Sequence, residues 1–277
     1  MPPPKRATRW SRTRRKTPST ERVPEFREHL HMTYCVGIHV EEGIAFLSDS
    51  RTNAGVDHLS TYSKMFSFAE HGERTIVILT AGNLATTQAV IKAIRRDAAE
   101  SAEKNVMNLR SMDEIAAYVG HLNYDQQRIH VNQAAGSDLD VSATFIVGGQ
   151  IRGTGSELYL VYAEGNFIAA TEQTPYHQIG EVKYGKPILD RIISAAMPLG
   201  KAALCGMVSM DSTMRSNATV GPPVEMMLYR ENSLEGGART TYQRDDPYLL
   251  SLRRAWEAAL RKGFESLPPL DLAGNQA

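Results

Sequence analysis

The sequence predicts an α+β protein: a four-layer αββα sandwich of two stacked antiparallel sheets flanked by helices. Three observations predict it. Segments with the period-two pattern of strands come in blocks, at 33–40, 43–50, 64–70 and 75–81 and again at 143–148, 157–162 and 166–170. Each block is followed by two stretches with helical spacing, at 84–101 and 112–132 and then at 186–196 and 199–210. Between residues 33 and 265 there is no domain linker and no internal repeat, and the 277-residue chain is long enough for one large core.

The elements follow in order. Tyr34, Val36, Ile38 and Val40 alternate with Thr33, Cys35, Gly37 and His39, which is strand period. Glu41-Glu42-Gly43 reads as a three-residue hairpin loop, with Gly where a left-handed residue is wanted. That register sets Cys35 opposite Asp49, puts Ile44 and Phe46 on the face of Val36 and Ile38, and places Asp49 on the face of Thr33. A two-residue loop would move Asp49 to the other face. Met65-Phe66-Ser67-Phe68 alternate, and the apolar run 75–79 leads into Thr80-Ala81-Gly82. Val90, Ile91 and Ile94 mark the first helix, and Ile115, Val119 and Leu122 the second. A last strand at 224–229 leads through a polar link to an amphipathic helix at 247–265 carrying Leu249, Leu252, Trp256 and Leu260. Residues 266–277 read as a flexible tail.

Composition excludes several classes. No run approaches the roughly 20 apolar residues of a membrane span. Two cysteines, Cys35 and Cys205, make neither a disulfide framework nor a CxxC pair, which fits a reducing cytoplasm. The eight histidines form no HExxH or Cys/His cluster, so no metal and no cofactor is expected. Overall neutrality hides an asymmetry: residues 1–31 hold nine Lys/Arg against three Asp/Glu, so the remainder is acidic by the same margin. This Pro- and Arg-rich leader, 1–32 with Met32, reads as disordered and lacks the apolar core of a secretion signal. It fits a misassigned upstream start, a removable propeptide or, least well, a nucleic-acid-binding arm, since the body is acidic. No nucleic-acid or membrane partner is expected.

The chemistry centres on Thr33, which follows Met32. If Met32 is a start codon, or the leader is cut off, Thr33 becomes N-terminal. Its hydroxyl is then a nucleophile and its α-amine, titrating near pH 8, the base that takes the hydroxyl proton. As an amide the same nitrogen has no basicity. Each candidate also has an ordinary reading. Thr33 suits a strand start, Asp49 a strand-end cap and Lys64 a solvated surface. Gly82 suits a strand-to-helix turn with Asn83 as cap. Cys35 reads as a small buried hydrophobe, Glu181 and Lys183 as a surface pair, and 209–216 as a helix end.

The stretch MTYCVGIHVEEGIAFLSDSRTNAGVDHLSTYSKM at 32–65, with TAG at 80–82 and GEVKYGKPILDRI at 180 onward, resembles Anbu, the "ancestral beta subunit" branch of bacterial proteasome-type peptidases. The resemblance covers most of 33–265, densest at its start. These are N-terminal nucleophile hydrolases, and the likeness implies their fold for the whole of 33–265. Carried over, it makes Thr33 the nucleophile, Asp49 and Lys64 its charged supports, and Gly82 the oxyanion-hole glycine. Asp211 resembles the acid placed near the amine. The serine expected three residues on is replaced by Met214, leaving Ser212 or Ser216 as substitutes. The glycine loop that carries a serine in proteasomes is here Gly180-Glu181-Val182-Lys183-Tyr184-Gly185. The likeness implies a threonine-type peptidase or amidohydrolase that self-associates into a ring-like homo-oligomer and acts on a peptide or amide substrate. The departures near Asp211 keep two alternatives open: an assembly scaffold with little peptidase activity, and an amidase for small molecules or isopeptides.

Overall fold

The computed structural model describes residues 33–53, 59–133 and 140–270. The leader at 1–32 and the end of the tail at 271–277 lie outside the described residues. Twelve strands and five helices are described, in the order β1 (Tyr34–Val40), β2 (Gly43–Asp49), β3 (Arg51–Asn53), β4 (Leu59–Thr61), β5 (Met65–Glu70), β6 (Arg74–Gly82), α1 (Leu84–Ala99), α2 (Met112–Gln133), β7 (Ala143–Ile151), β8 (Glu157–Val161), β9 (Phe167–Ala169), β10 (Tyr176–Gly180), α3 (Lys186–Ile192), α4 (Leu199–Ser216), β11 (Val224–Arg230), β12 (Ala238–Tyr242) and α5 (Pro247–Glu265). They form two antiparallel five-stranded sheets, ordered β10-β1-β2-β11-β12 and β5-β6-β7-β8-β9, with β3-β4 as a separate ribbon. None of the described helices is long and apolar enough to cross a membrane.

Three apolar clusters bind four layers, as burial of each element's apolar face requires. Tyr34, Val36, Ile38 and Leu47 of the first sheet pack against Leu189 of α3 and Ala202, Met207 and Met210 of α4. Ile76, Ile78 and Phe145 of the second pack against Val90 and Ile94 of α1 and Ile115 and Val119 of α2. Cys35, Ile44, Phe46, Val77, Leu79 and Ile146 fill the space between the sheets. The expected four-layer sandwich is the observed one.

The hairpin joining β1 and β2 differs from expectation. Val40 pairs with Gly43, so the loop is Glu41-Glu42 and the register moves by one residue, setting Cys35 against Ser48. Ile44 and Phe46 therefore face the second sheet with Cys35, while Ala45 and Leu47 share the helix side with Val36. The alternation did not discriminate, because every residue of β2 is buried and both of its faces are apolar. Four strands were also not expected: the short β3 and β4, β10, which no predicted element covered, and β12, read as a polar link, whose Ala238, Arg239, Thr240 and Thr241 are exposed on a sheet edge. Helix α4 runs on to Ser216, so Asp211 lies inside it and not at its end. Glu181 is buried, at 7% exposure, where a surface pair with Lys183 was expected.

Candidate active site

Thr33 sits one residue before β1 and is buried. On one side runs β10, paired Tyr34 to Gly180, with the Glu181 N–H donating to the Thr33 carbonyl at 2.7 Å. Gly180 has φ +84°, and a Cβ there would sit 2.0 Å from the Thr33 carbonyl oxygen. Only glycine permits both the conformation and the approach.

On the other side β2 ends at Asp49, whose side chain is fully buried. The shifted register sets Asp49 beside Tyr34, and the Tyr34 N–H donates to Asp49 Oδ1 at 3.1 Å. Lys64 Nζ, from the residue before β5, donates to the same oxygen at 2.6 Å and to the Arg51 carbonyl at 2.7 Å. Gly221 N–H donates to Asp49 Oδ2 at 3.2 Å. Burial pushes the Asp49 carboxyl above the usual carboxylate range, and the Lys64 charge and the two N–H groups oppose that push. Lys64 is itself 7% exposed, so the solvated reading does not hold for it.

The segment 217–221 closes the end of the strands. Asn217 Nδ2 donates to Glu181 Oε2 at 3.1 Å, Arg51 donates to the Ala218 carbonyl at 2.5 Å, and Gly221 reaches Asp49. Because the order is β10-β1-β2, a segment touching both flanks spans the start of β1, where Thr33 lies. Tyr34 anchors that start from the helix side: its hydroxyl shares a 2.6 Å hydrogen bond with Ser209 of α4 and accepts from Gln178 Nε2 at 2.6 Å.

Behind lies β6. Thr80 N–H donates to the Lys64 carbonyl at 3.0 Å, and the Cys35 thiol donates to the Thr80 carbonyl at 3.6 Å. Two residues on, the buried strand ends at the exposed Gly82, φ +103°, followed by Asn83, whose side chain caps α1. Burial pushes the Cys35 thiol far above its ordinary range, so it is not poised as a nucleophile.

The structure thus joins Asp49 and Lys64 at the start of β1 and puts Gly82 two residues from their neighbour Thr80. It places Asp211 elsewhere on α4: its Oδ1 accepts from Arg253 Nε of α5 at 2.8 Å. No hydrogen bond or ion pair joins Asp211 to Thr33, Asp49 or Lys64 among the described residues. Ser216 is exposed and Ser212 half-buried. Glu181, Asn217 and Gly221, which reach the site, were not singled out by sequence for that place. Glu181 follows a Gly at a strand end, but that signal does not distinguish a buried acid from an exposed one.

A threonine opening the first strand of an αββα sandwich, with a buried aspartate–lysine pair beside it, defines the proteasome-type N-terminal nucleophile fold. Solved structures carry the assignment further. The chain is 44% identical to Anbu from Yersinia bercovieri, covering 87% of this chain and 100% of that one, with a TM-score of 0.80. It is 43% identical to the subunit of the helical Anbu assembly from Pseudomonas aeruginosa, covering 88% and 100%, TM-score 0.83. It is 39% identical to Anbu from Hyphomicrobium sp. strain MC1, covering 87% and 100%, TM-score 0.80. No protein-family model and no curated protein matches the chain. The chain belongs to the Anbu (ancestral beta-subunit) family.

Proposed function

We propose that the protein is a threonine-type peptidase or amidohydrolase that acts after Thr33 has become N-terminal. The observation that carries this reading is the buried Asp49–Lys64 pair beside the first strand, at 2.6 Å. A buried ion pair costs desolvation and is weak evidence for stability alone, so its place next to Thr33 favours a chemical role. The Thr33 hydroxyl attacks the amide carbonyl and its proton passes to the α-amine, directly or through a water. The Gly82 backbone N–H receives the developing oxyanion; its φ of +103°, and the Ser142 carbonyl 2.4 Å from where a Cβ would sit, keep this position a glycine. The amine then returns the proton to the leaving nitrogen, and water hydrolyses the acyl ester. Lys64 lowers the cost of the alkoxide, and Asp49 holds Lys64 in place. Asp211 enters only as a more remote support through α4.

The reading requires removal of the leader, by translation from Met32 and loss of that Met or by cleavage of the Met32–Thr33 bond. An epoxyketone reacts with hydroxyl and free amine together, so it tests the mechanism. It is expected to label a protein expressed from Met32 and to leave Thr33→Ala unlabelled.

A second reading is an assembly scaffold in the cytoplasm. It is favoured by α5, whose Leu260 and Phe264 are 54% and 75% exposed. A relative of 43% identity forms a helical assembly, and self-association into a ring-like or helical homo-oligomer is proposed here under either reading. Thr33→Ala separates the two: if it assembles and complements a deletion strain, the scaffold is favoured.

A further inference from the structure

We propose that Glu181 is the positioning residue for the Thr33 α-amine and sets the pH at which that amine can accept a proton. This rests on the reading of Thr33 as a freed N-terminal nucleophile. The register Tyr34 to Gly180, carried one step on, pairs Thr33 with Glu181, and the Glu181 N–H to Thr33 carbonyl bond of 2.7 Å holds that pair together. Cα atoms of such partners lie about 4.5–5.5 Å apart, within the reach of a Glu side chain.

The carboxylate is buried and built into the site. Its Oε1 accepts from the Lys183 N–H and its Oε2 from Asn217 Nδ2, each at 3.1 Å. Both donors are neutral dipoles. The neighbouring acids are ion-paired: Asp49 with Lys64, Asp211 with Arg253, Glu225 with Arg239. Glu181 has no ion pair among the described residues. A buried carboxylate held only by dipoles is costly, and a cation at the start of β1 relieves that cost. The α-ammonium of a freed Thr33 is such a cation, formed in register with Glu181 when the preceding residue leaves. Asn217, at the C-cap of α4, fixes the carboxylate from the helix side.

The electrostatic consequence has a definite sign. A carboxylate beside an amine favours the ammonium and raises its pKa, whereas Lys64 lowers it. The other groups around the start of β1 are Asp49 of β2, the Arg51 guanidinium on the Ala218 and Val220 carbonyls, Cys35 of β1, and the Glu225–Arg239 pair. They are common to all the variants compared.

The test uses the protein expressed from Met32, with Thr33 verified by N-terminal sequencing. Competitive acetylation of the α-amine is followed against pH by mass spectrometry, a readout that needs no turnover. Glu181→Gln, which keeps the shape, is expected to lower the labelling midpoint by about one pH unit or more. Asn217→Asp, which adds a second negative charge beside Glu181, is expected to raise it. An unchanged midpoint in both variants, with Thr33 free, overturns this proposal and leaves the threonine mechanism standing. A Thr33 that remains acylated overturns both.

Discussion

Lys64 donates to Asp49 across 2.6 Å with the two side chains 8% and 0% exposed, on the strand end next to Thr33. Removing one partner of such a pair leaves an uncompensated buried charge, which costs about 3–5 kcal/mol. Lys64→Met is therefore expected to lower stability by that order and to abolish probe labelling. The double variant with Asp49→Asn is expected to regain at least about 1 kcal/mol relative to the sum of the singles, because no bare carboxylate remains. Urea denaturation of the four proteins checks this, and strict additivity would break the proposed coupling.

Gly180 and Gly72 both have positive φ, +84° and +76°, yet their surroundings differ. A Cβ at Gly180 meets the Thr33 carbonyl oxygen at 2.0 Å, and one at Gly72 meets nothing within 4 Å. Gly72→Ala is expected to cost about 1 kcal/mol, the strain of the conformation alone. Gly180→Ala must also push β10 off β1, and the expected result is loss of the fold or of Thr33 labelling. Equal thermal stability of the two variants would show that the close approach carries no weight.

The sandwich was legible in the sequence because β1 and β5 alternate and the helices show clean spacing, although the edge strands β10 and β12 escaped it. The 247–265 helix was read with the bounds it has, from Pro at its start to the loss of pattern after Glu265. The hairpin register was not legible, since Ile44 to Asp49 are all buried and periodicity cannot choose between two apolar faces. The expected nearness of Asp49 to Thr33 was argued from a register the structure does not have. Asp49 nevertheless reaches the Tyr34 N–H because it stands at the strand end. Lys64 was selected by resemblance and not by pattern. Glu181 was read as a surface residue and Asn217 was not singled out, because their contact depends on the 217–221 segment folding over the strand ends, joining parts of the chain 36 residues apart.

His177, opposite Gly37 on β10, is 7% exposed and its Nε2 has no hydrogen-bond partner among the described residues. Burial pushes its pKa down to about 4. With the folded value below the unfolded one, the stability it contributes is full above about pH 6.5 and is lost as pH falls through 4. The loss amounts to about 3 kcal/mol at most. His39, also held down by burial, adds the same sign. The difference in unfolding free energy between wild type and His177→Leu should therefore change steadily from pH 6.5 to 4, the variant losing less stability. Parallel curves would exclude a neutral buried His177.

The exposed end of α5 continues the stripe of Leu252 and Trp256, which line a cavity of about 500 Å³ with Met197 and Val208. With Phe264 75% exposed beyond it, a second copy of this chain is the expected occupant of this face. Phe264→Asp is predicted to leave the fold intact and to shift sedimentation toward smaller species. Unchanged assembly would place the contact between copies elsewhere.

Catalysis by this protein is expected to require Thr33 as a free N-terminal residue. The direct measurement is intact mass with N-terminal sequencing of epoxyketone-treated protein, comparing the form expressed from Met32, its Thr33→Ala variant and the full 277-residue chain. A single adduct is expected on a chain beginning at Thr33, none on the alanine variant, and none on any full-length molecule that retains Met1. Equal labelling of the full-length chain with Met1 in place would contradict it.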